Sequence, residues 1–126
     1  MAGKSDRMST LFEETVFDTL CAELGEADAL EVLTVFLADT ANRMAAFPAN
    51  GEPRGLIKRE AHSIKSSAAT FGFDDLSGLA RELESAAETM TAAKLQVSVG
   101  ALRQAFETAA RFARTNLLQS GMGANA

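Results

Sequence analysis

Apolar side chains recur every three or four residues along most of the chain, the spacing of helices that bury one face, and nowhere do they alternate with polar residues as in a half-buried strand. The segment Thr10-Leu-Phe-Glu13 has the form of a capping box. It predicts a helix start just ahead of Phe12, Val16, Phe17, Leu20 and Leu24, with Gly25 as the stop. Asp28 followed by Glu31 marks a second start, with Leu30, Leu33, Leu37, Ala41 and Met44 inward. Both prolines, Pro48 and Pro53, fall in Phe47-Pro-Ala-Asn-Gly-Glu-Pro-Arg-Gly55, so this stretch breaks the pattern.

A third helix is expected with Pro53 in its first turn and with Ile57, Ala61, Ile64, Ala68 and Phe71 buried before Gly72. Asp74 or Asp75 can cap a fourth, carrying Leu76, Leu79, Ala80, Leu83 and Ala87. A fifth begins near Thr91 or Ala92 and runs through Leu95, Val99, Leu102, Ala105 or Phe106, and Ala109 to about Leu117, with Gly100 as a local interruption. The predicted fold is all-α: an antiparallel four-helix bundle with an additional short helix over residues 10–118, flanked by flexible termini at 1–9 and 119–126.

Composition narrows the chemistry. A chain of 126 residues that is 47% hydrophobic suits one packed domain. No apolar run is long enough to span a bilayer, and Met1 to Thr10 lacks the apolar segment of a secretory signal, so a cytoplasmic protein is expected, without a membrane partner. One cysteine, Cys21, and one histidine, His62, exclude an internal disulfide and a His/Cys zinc cluster. Cys21 reads as a small apolar filler. A net charge of -5 disfavours nucleic acid, and so does the lack of Trp and Tyr for base stacking. No glycine-rich phosphate loop is present, which argues against a kinase.

The charge is unevenly spread. Residues 53–65 carry four basic groups and one acid, whereas residues 11–46 carry eight acids and one base. At an advance of about 100° per residue, the five apolar positions of the third helix fall within about 40° of one line, and His62 lies about 140° from it. His62 is therefore off the core stripe, with Lys58 one turn before it and Lys65 and Ser66 one turn after. An exposed neutral imidazole has a free ring-nitrogen lone pair and can act as a nucleophile, and neighbouring cations would stabilise a phosphoryl group placed on it. The small residues Ser66, Ser67, Ala68 and Ala69 leave room for a donor to approach. Glu60 points elsewhere on the wheel, and no carboxylate within one turn lies on the ring's side.

The run Ala61-His-Ser-Ile-Lys-Ser-Ser-Ala-Ala-Thr-Phe-Gly72, followed by Leu76, Leu79, Ala80, Arg81 and Leu83-Glu84, resembles the histidine phosphotransfer (HPt) domain of multistep two-component phosphorelays. The family signature is His-x-x-Lys-Gly, then small residues and a later Gly. His62, Lys65 and Gly72 match it, and Ser66 stands where the first Gly is usual. The resemblance implies that His62 accepts a phosphoryl group from the phospho-Asp of one receiver domain and passes it to the Asp of another, with Lys65 stabilising the phosphate. Lys58 and Arg59, added from the wheel, are supporting cations on what is otherwise a solvated face.

The same resemblance implies a phosphoryl carrier with no independent catalytic activity and no cofactor of its own, the Mg²⁺ being held by the partner receiver. The expected partners are receiver domains of response regulators and hybrid histidine kinases, and the chain is expected to be a monomer. The alternative is a helical adaptor that binds a kinase or receiver without being phosphorylated. Leu11, Phe12 and Phe36 are candidate docking residues, against the ordinary reading of each as core.

Overall fold

The computed structural model describes residues 11–118. Among these residues lie the α-helices α1 (Glu14–Leu24), α2 (Glu26–Ala46), α3 (Arg54–Phe71), α4 (Asp74–Ala86) and α5 (Ala92–Ala113), and a closing π-helical turn, Arg114–Leu118. Among the described residues there is no strand. The short helix of the expected bundle is α1, with 11 residues and Phe17 as its one buried side chain. The expected flexible segments, 1–9 and 119–126, lie outside the described residues, as does Thr10.

The predicted apolar stripes form most of the observed interior, but Leu24, at the last turn of α1, is 43% exposed. All five positions named for α3 are buried, with Ile57, Ala61, Ile64 and Ala68 at 0% exposure. In α2 the buried set is Ala29, Leu33, Phe36, Leu37, Thr40 and Met44. Ala41 faces out instead, because Phe36 and Thr40 take the inner line. One continuous core joins all five helices and the loop residue Phe47. Phe73 sits at its centre, fully buried between Phe12 and Phe36, at 5.2 Å and 5.9 Å between ring centroids.

The helix ends differ from the expected ones in ways that packing explains. α1 starts at Glu14, not ahead of Phe12, since the Phe12 ring is drawn in against Phe17, Phe73 and Phe112 and the Glu13 backbone is extended. The Glu13 N–H donates to the Gly72 carbonyl at 2.7 Å, which ties the entry of α1 to the end of α3. α2 begins at Glu26, directly after Gly25, so Asp28 lies inside its first turn and makes no cap. Pro53 precedes the first turn of α3, at the N-cap position. Likewise Phe73 holds the N-cap position of α4, with Asp74 and Asp75 in the first turn. Thr91 does cap α5, its hydroxyl accepting from the Lys94 N–H at 3.1 Å. Gly100 does not interrupt that helix, which runs unbroken through 22 residues.

The α3–α4 hairpin positions the site. Gly72 has φ 88° and ψ 15°, the left-handed conformation that glycine adopts at least cost. The Phe73 N–H returns to Ala68 O at 2.9 Å and the Gly72 N–H to Ala69 O at 3.2 Å, closing a Schellman motif. α4 then folds straight back along α3. Two further contacts lock the pair: buried Ser77 donates its hydroxyl to Lys65 O at 2.9 Å, and Arg54 donates to the carbonyls of Ala87 and Met90 at the far end.

Candidate functional site

The face of α3 opposite the buried stripe carries His62, Ser66 and Arg59, all exposed. Burial of Ala61 and Ile64 on either side of His62 fixes the helix rotation that turns the ring outward, and its side chain is 59% exposed. Glu60, on the other flank, is engaged by Arg43 of α2 at 2.7 Å and takes no part in the His62 cluster, in line with the wheel.

The other side of the ring departs from the sequence expectation. Glu84, on α4, places Oε2 2.7 Å from His62 Nδ1 and Oε1 2.8 Å from Lys65 Nζ. A carboxylate therefore does lie beside the imidazole, contributed by the neighbouring helix, where a wheel drawn for α3 alone has no means of showing it. One turn further on, Lys58 Nζ is 3.5 Å from Glu88 Oε1. The basic strip read from the sequence is thus partly neutralised by two acids, Glu84 of α4 and Glu88 in the turn just after it.

Charge and geometry together assign the ring's proton. The carboxyl group of Glu84 is held below the usual carboxylate range, first by its hydrogen bond with Lys65 and then by that with His62. It is ionised at neutral pH and can only accept. Nδ1 must then be the donor, which leaves the lone pair of the neutral ring on Nε2. The result is an exposed imidazole on α3, with an ammonium group held on the same carboxylate.

The remaining candidates fall in two groups. Ser66 is exposed one turn from His62, and Ala69 and Thr70 extend the small-residue surface beyond it. Gly72 is buried ten residues away at the helix end, where its role is conformational. Of the docking residues, Phe36 is only 5% exposed and Phe12 is half-buried in the aromatic cluster, so both belong to the interior. Leu11 is half-buried. Apolar surface near α3 comes instead from Val32 and Val35 of α2, 38% and 62% exposed, beside Ser67 and Thr70.

Among the described residues, no three His, Cys, Asp or Glu side chains gather in a way that could hold a metal ion, and no helix is long and apolar enough to cross a membrane.

Comparison with known proteins agrees with this architecture. The "Hpt domain" family matches residues 28–112. The phosphorelay protein LuxU of Vibrio cholerae is 30% identical over 84 residues, covering 65% of this chain and 74% of that protein. Among solved structures, the histidine-containing phosphotransfer protein B (HptB) of Pseudomonas aeruginosa PAO1 shares the fold with a TM-score of 0.70 at 22% identity, over 79% of this chain and 87% of the other. The chain belongs to the histidine phosphotransfer (Hpt) domain family, the phosphotransfer modules of two-component signalling.

Proposed function

We propose that this protein is a phosphoryl carrier whose acceptor is His62, receiving the group from the phospho-Asp of one receiver domain and passing it to the Asp of another. The observation that carries the reading is the imidazole of His62, exposed on α3 with Nδ1 2.7 Å from Glu84 Oε2, which directs Nε2 to act as the nucleophile. In the forward step the Nε2 lone pair forms a P–N bond as the P–O bond of the aspartyl phosphate breaks, and the Asp carboxylate leaves with the electron pair. Delivery to the second receiver is the same displacement run in reverse.

Lys65 shares the Glu84 carboxylate with the ring and is assigned to the phosphoryl oxygens, whose charge must be balanced during transfer. Ser66 keeps the surface beside the ring small, and Lys58 and Arg59 extend the positive field along the helix. A resident Mg²⁺ does not fit this cluster, because both oxygens of its one carboxylate are already engaged, by Lys65 and by the ring. The ion is assigned to the receiver. The chain itself supplies a positioned nucleophile, and alignment on a rigid helix accounts for a large part of the rate.

The test is incubation with a phosphorylated receiver and Mg²⁺. Wild-type protein should acquire an acid-labile, base-stable phosphate, and His62→Gln should acquire none. A wild type that binds a receiver and stays unlabelled would make the chain an adaptor.

A further inference from the structure

We infer that Arg59 and Ser66 are direct ligands of the phosphoryl group, clamping it from the side of the ring away from α4, an inference that rests on His62 being the acceptor. The two flanks of α3 carry charges that are already paired. Toward α4, His62 Nδ1 stands 2.7 Å from Glu84 Oε2, Lys65 Nζ 2.8 Å from Glu84 Oε1 and Lys58 Nζ 3.5 Å from Glu88 Oε1. Toward α2, Arg43 holds both Asp39 and Glu60. Between these flanks runs an exposed crest of α3 that includes Arg59, His62, Ser66, Ala69 and Thr70. The two nitrogens of an imidazole point in widely divergent directions. A ring that turns Nδ1 to α4 therefore turns Nε2, and the group bonded to it, out over the crest.

Arg59 precedes His62 by three residues and Ser66 follows it by four, the spacings at which side chains on one helix face meet. Helical side chains lean toward the N-terminus, which places the His62 ring over the turn of Arg59 and the Ser66 hydroxyl over the turn of His62. Of the four cations of α3, Arg54, Lys58 and Lys65 are each engaged by a carboxylate, and Arg59 makes no ion pair among the described residues. Ser67 and Thr70 give their hydroxyls to Ser63 O and Ser66 O at 2.9 and 3.1 Å, whereas the Ser66 hydroxyl makes no hydrogen bond among the described residues. Arg81 is exposed too, but it belongs to α4, on the Nδ1 side of the ring. A guanidinium presents two parallel N–H groups to two phosphoryl oxygens, and the hydroxyl from the opposite turn supplies a donor to the third. Lys65 serves the α4 side of the same group. A glycine at position 66 would bring no donor, so the serine adds one at the point where this chain departs from the family signature.

The test is phosphorus NMR of the full chain loaded with phosphoramidate and titrated between about pH 5.5 and 8.5. Donors that bind the fully ionised phosphoryl group lower the pH at which it loses its last proton. Arg59→Gln should raise that midpoint by about half a pH unit at low salt, a roughly threefold change in proton affinity, and about 0.5 M salt should remove most of the difference. Ser66→Ala and Ser66→Gly should each raise it by about 0.3 pH unit, roughly twofold, with little dependence on salt. Arg59→Lys and Ser66→Thr keep the charge and the hydroxyl and should stay near the wild type. Arg103→Gln removes the same charge from the groove between α2 and α5 and should leave the midpoint in place. A midpoint of Arg59→Gln or of Ser66→Ala that coincides with the wild type, or an equal displacement in Arg103→Gln, would overturn the clamp while the carrier reading stands. Failure of His62 to take phosphate from both phosphoramidate and a phosphorylated receiver would remove the carrier reading and this one with it.

Discussion

Glu84 binds Lys65 and His62 at once, and its two attachments make different predictions. Replacing Lys65 with Gln removes a cation whose contact with the transferring group is worth about 1.5 kcal/mol when made in the transition state, so receiver-dependent labelling should slow about tenfold. Stopped-flow transfer assays would show it, and an unchanged rate would reduce Lys65 to a surface residue. The carboxylate also couples to stability. Because Glu84 is held below its unfolded-chain value of 4.5, by Lys65 first and His62 second, its contribution is present above that pH and lost as pH falls through the folded value. Urea midpoints of wild type and Glu84→Gln should therefore differ by a constant amount near neutrality and converge below about pH 4.5. His62, Lys65, Ser66, Lys58 and Arg59 were all legible because they share one helix, where sequence spacing is spatial spacing. Glu84 stood in the family-like string without a role, since its contact with His62 crosses 22 residues and exists only once α4 has folded back. The signal that could have found it is symmetry about the turn: His62 lies ten residues before Gly72 and Glu84 twelve after.

The hairpin itself rests on backbone geometry at a few positions, and two of the chain's glycines behave oppositely. A Cβ on Gly72 would lie 2.7 Å from Glu13 O and 3.2 Å from Val16 Cβ, and the residue has φ 88°. Gly72→Ala combines the left-handed penalty of about 1–2 kcal/mol with displacement of the segment entering α1, so a loss of about 3 kcal/mol is expected. Gly100, inside α5, would meet nothing within 4 Å of an added Cβ and has ordinary helical backbone. Gly100→Ala should stabilise by about 0.5–1 kcal/mol. Chemical denaturation of the two variants would separate them, and a neutral Gly72→Ala would refute the account of the turn. Periodicity located all five helices, because each buries a stripe that repeats at the helical pitch. Their ends were read less well. The Thr10 capping box and the Asp28 and Asp74 caps assumed that local side chains decide where a helix begins. At α1 and α4, packing of half-buried Phe12 and buried Phe73 against each other decides it instead, which no local pattern contains.

At the scale of the molecule, the site depends on a core that has no natural division. The aromatic rings run from Phe17 through Phe12 and Phe73 to Phe36 and Phe71, with neighbouring centroids 4.9–6.1 Å apart, and so link α1, α2, α3 and the α3–α4 turn. Leu83, Leu95 and Leu102, each 0–1% exposed, continue that interior into α4 and α5. His62 has no scaffold apart from this one cluster, because the helix that carries it and the helix that carries Glu84 are both held by it. Unfolding in urea should accordingly be a single transition. Loss of helix by far-ultraviolet circular dichroism and loss of the Nδ1-protonated His62 signal by NMR should have the same midpoint. Leu33→Ala, at a fully buried position in α2 remote in sequence from both, should shift the two midpoints together, by an amount equivalent to about 3 kcal/mol. If the His62–Glu84 signal disappeared at lower urea than the helices, α3 and α4 would be opening as a separate unit, and the rigidity on which in-line transfer depends would be local to that hairpin.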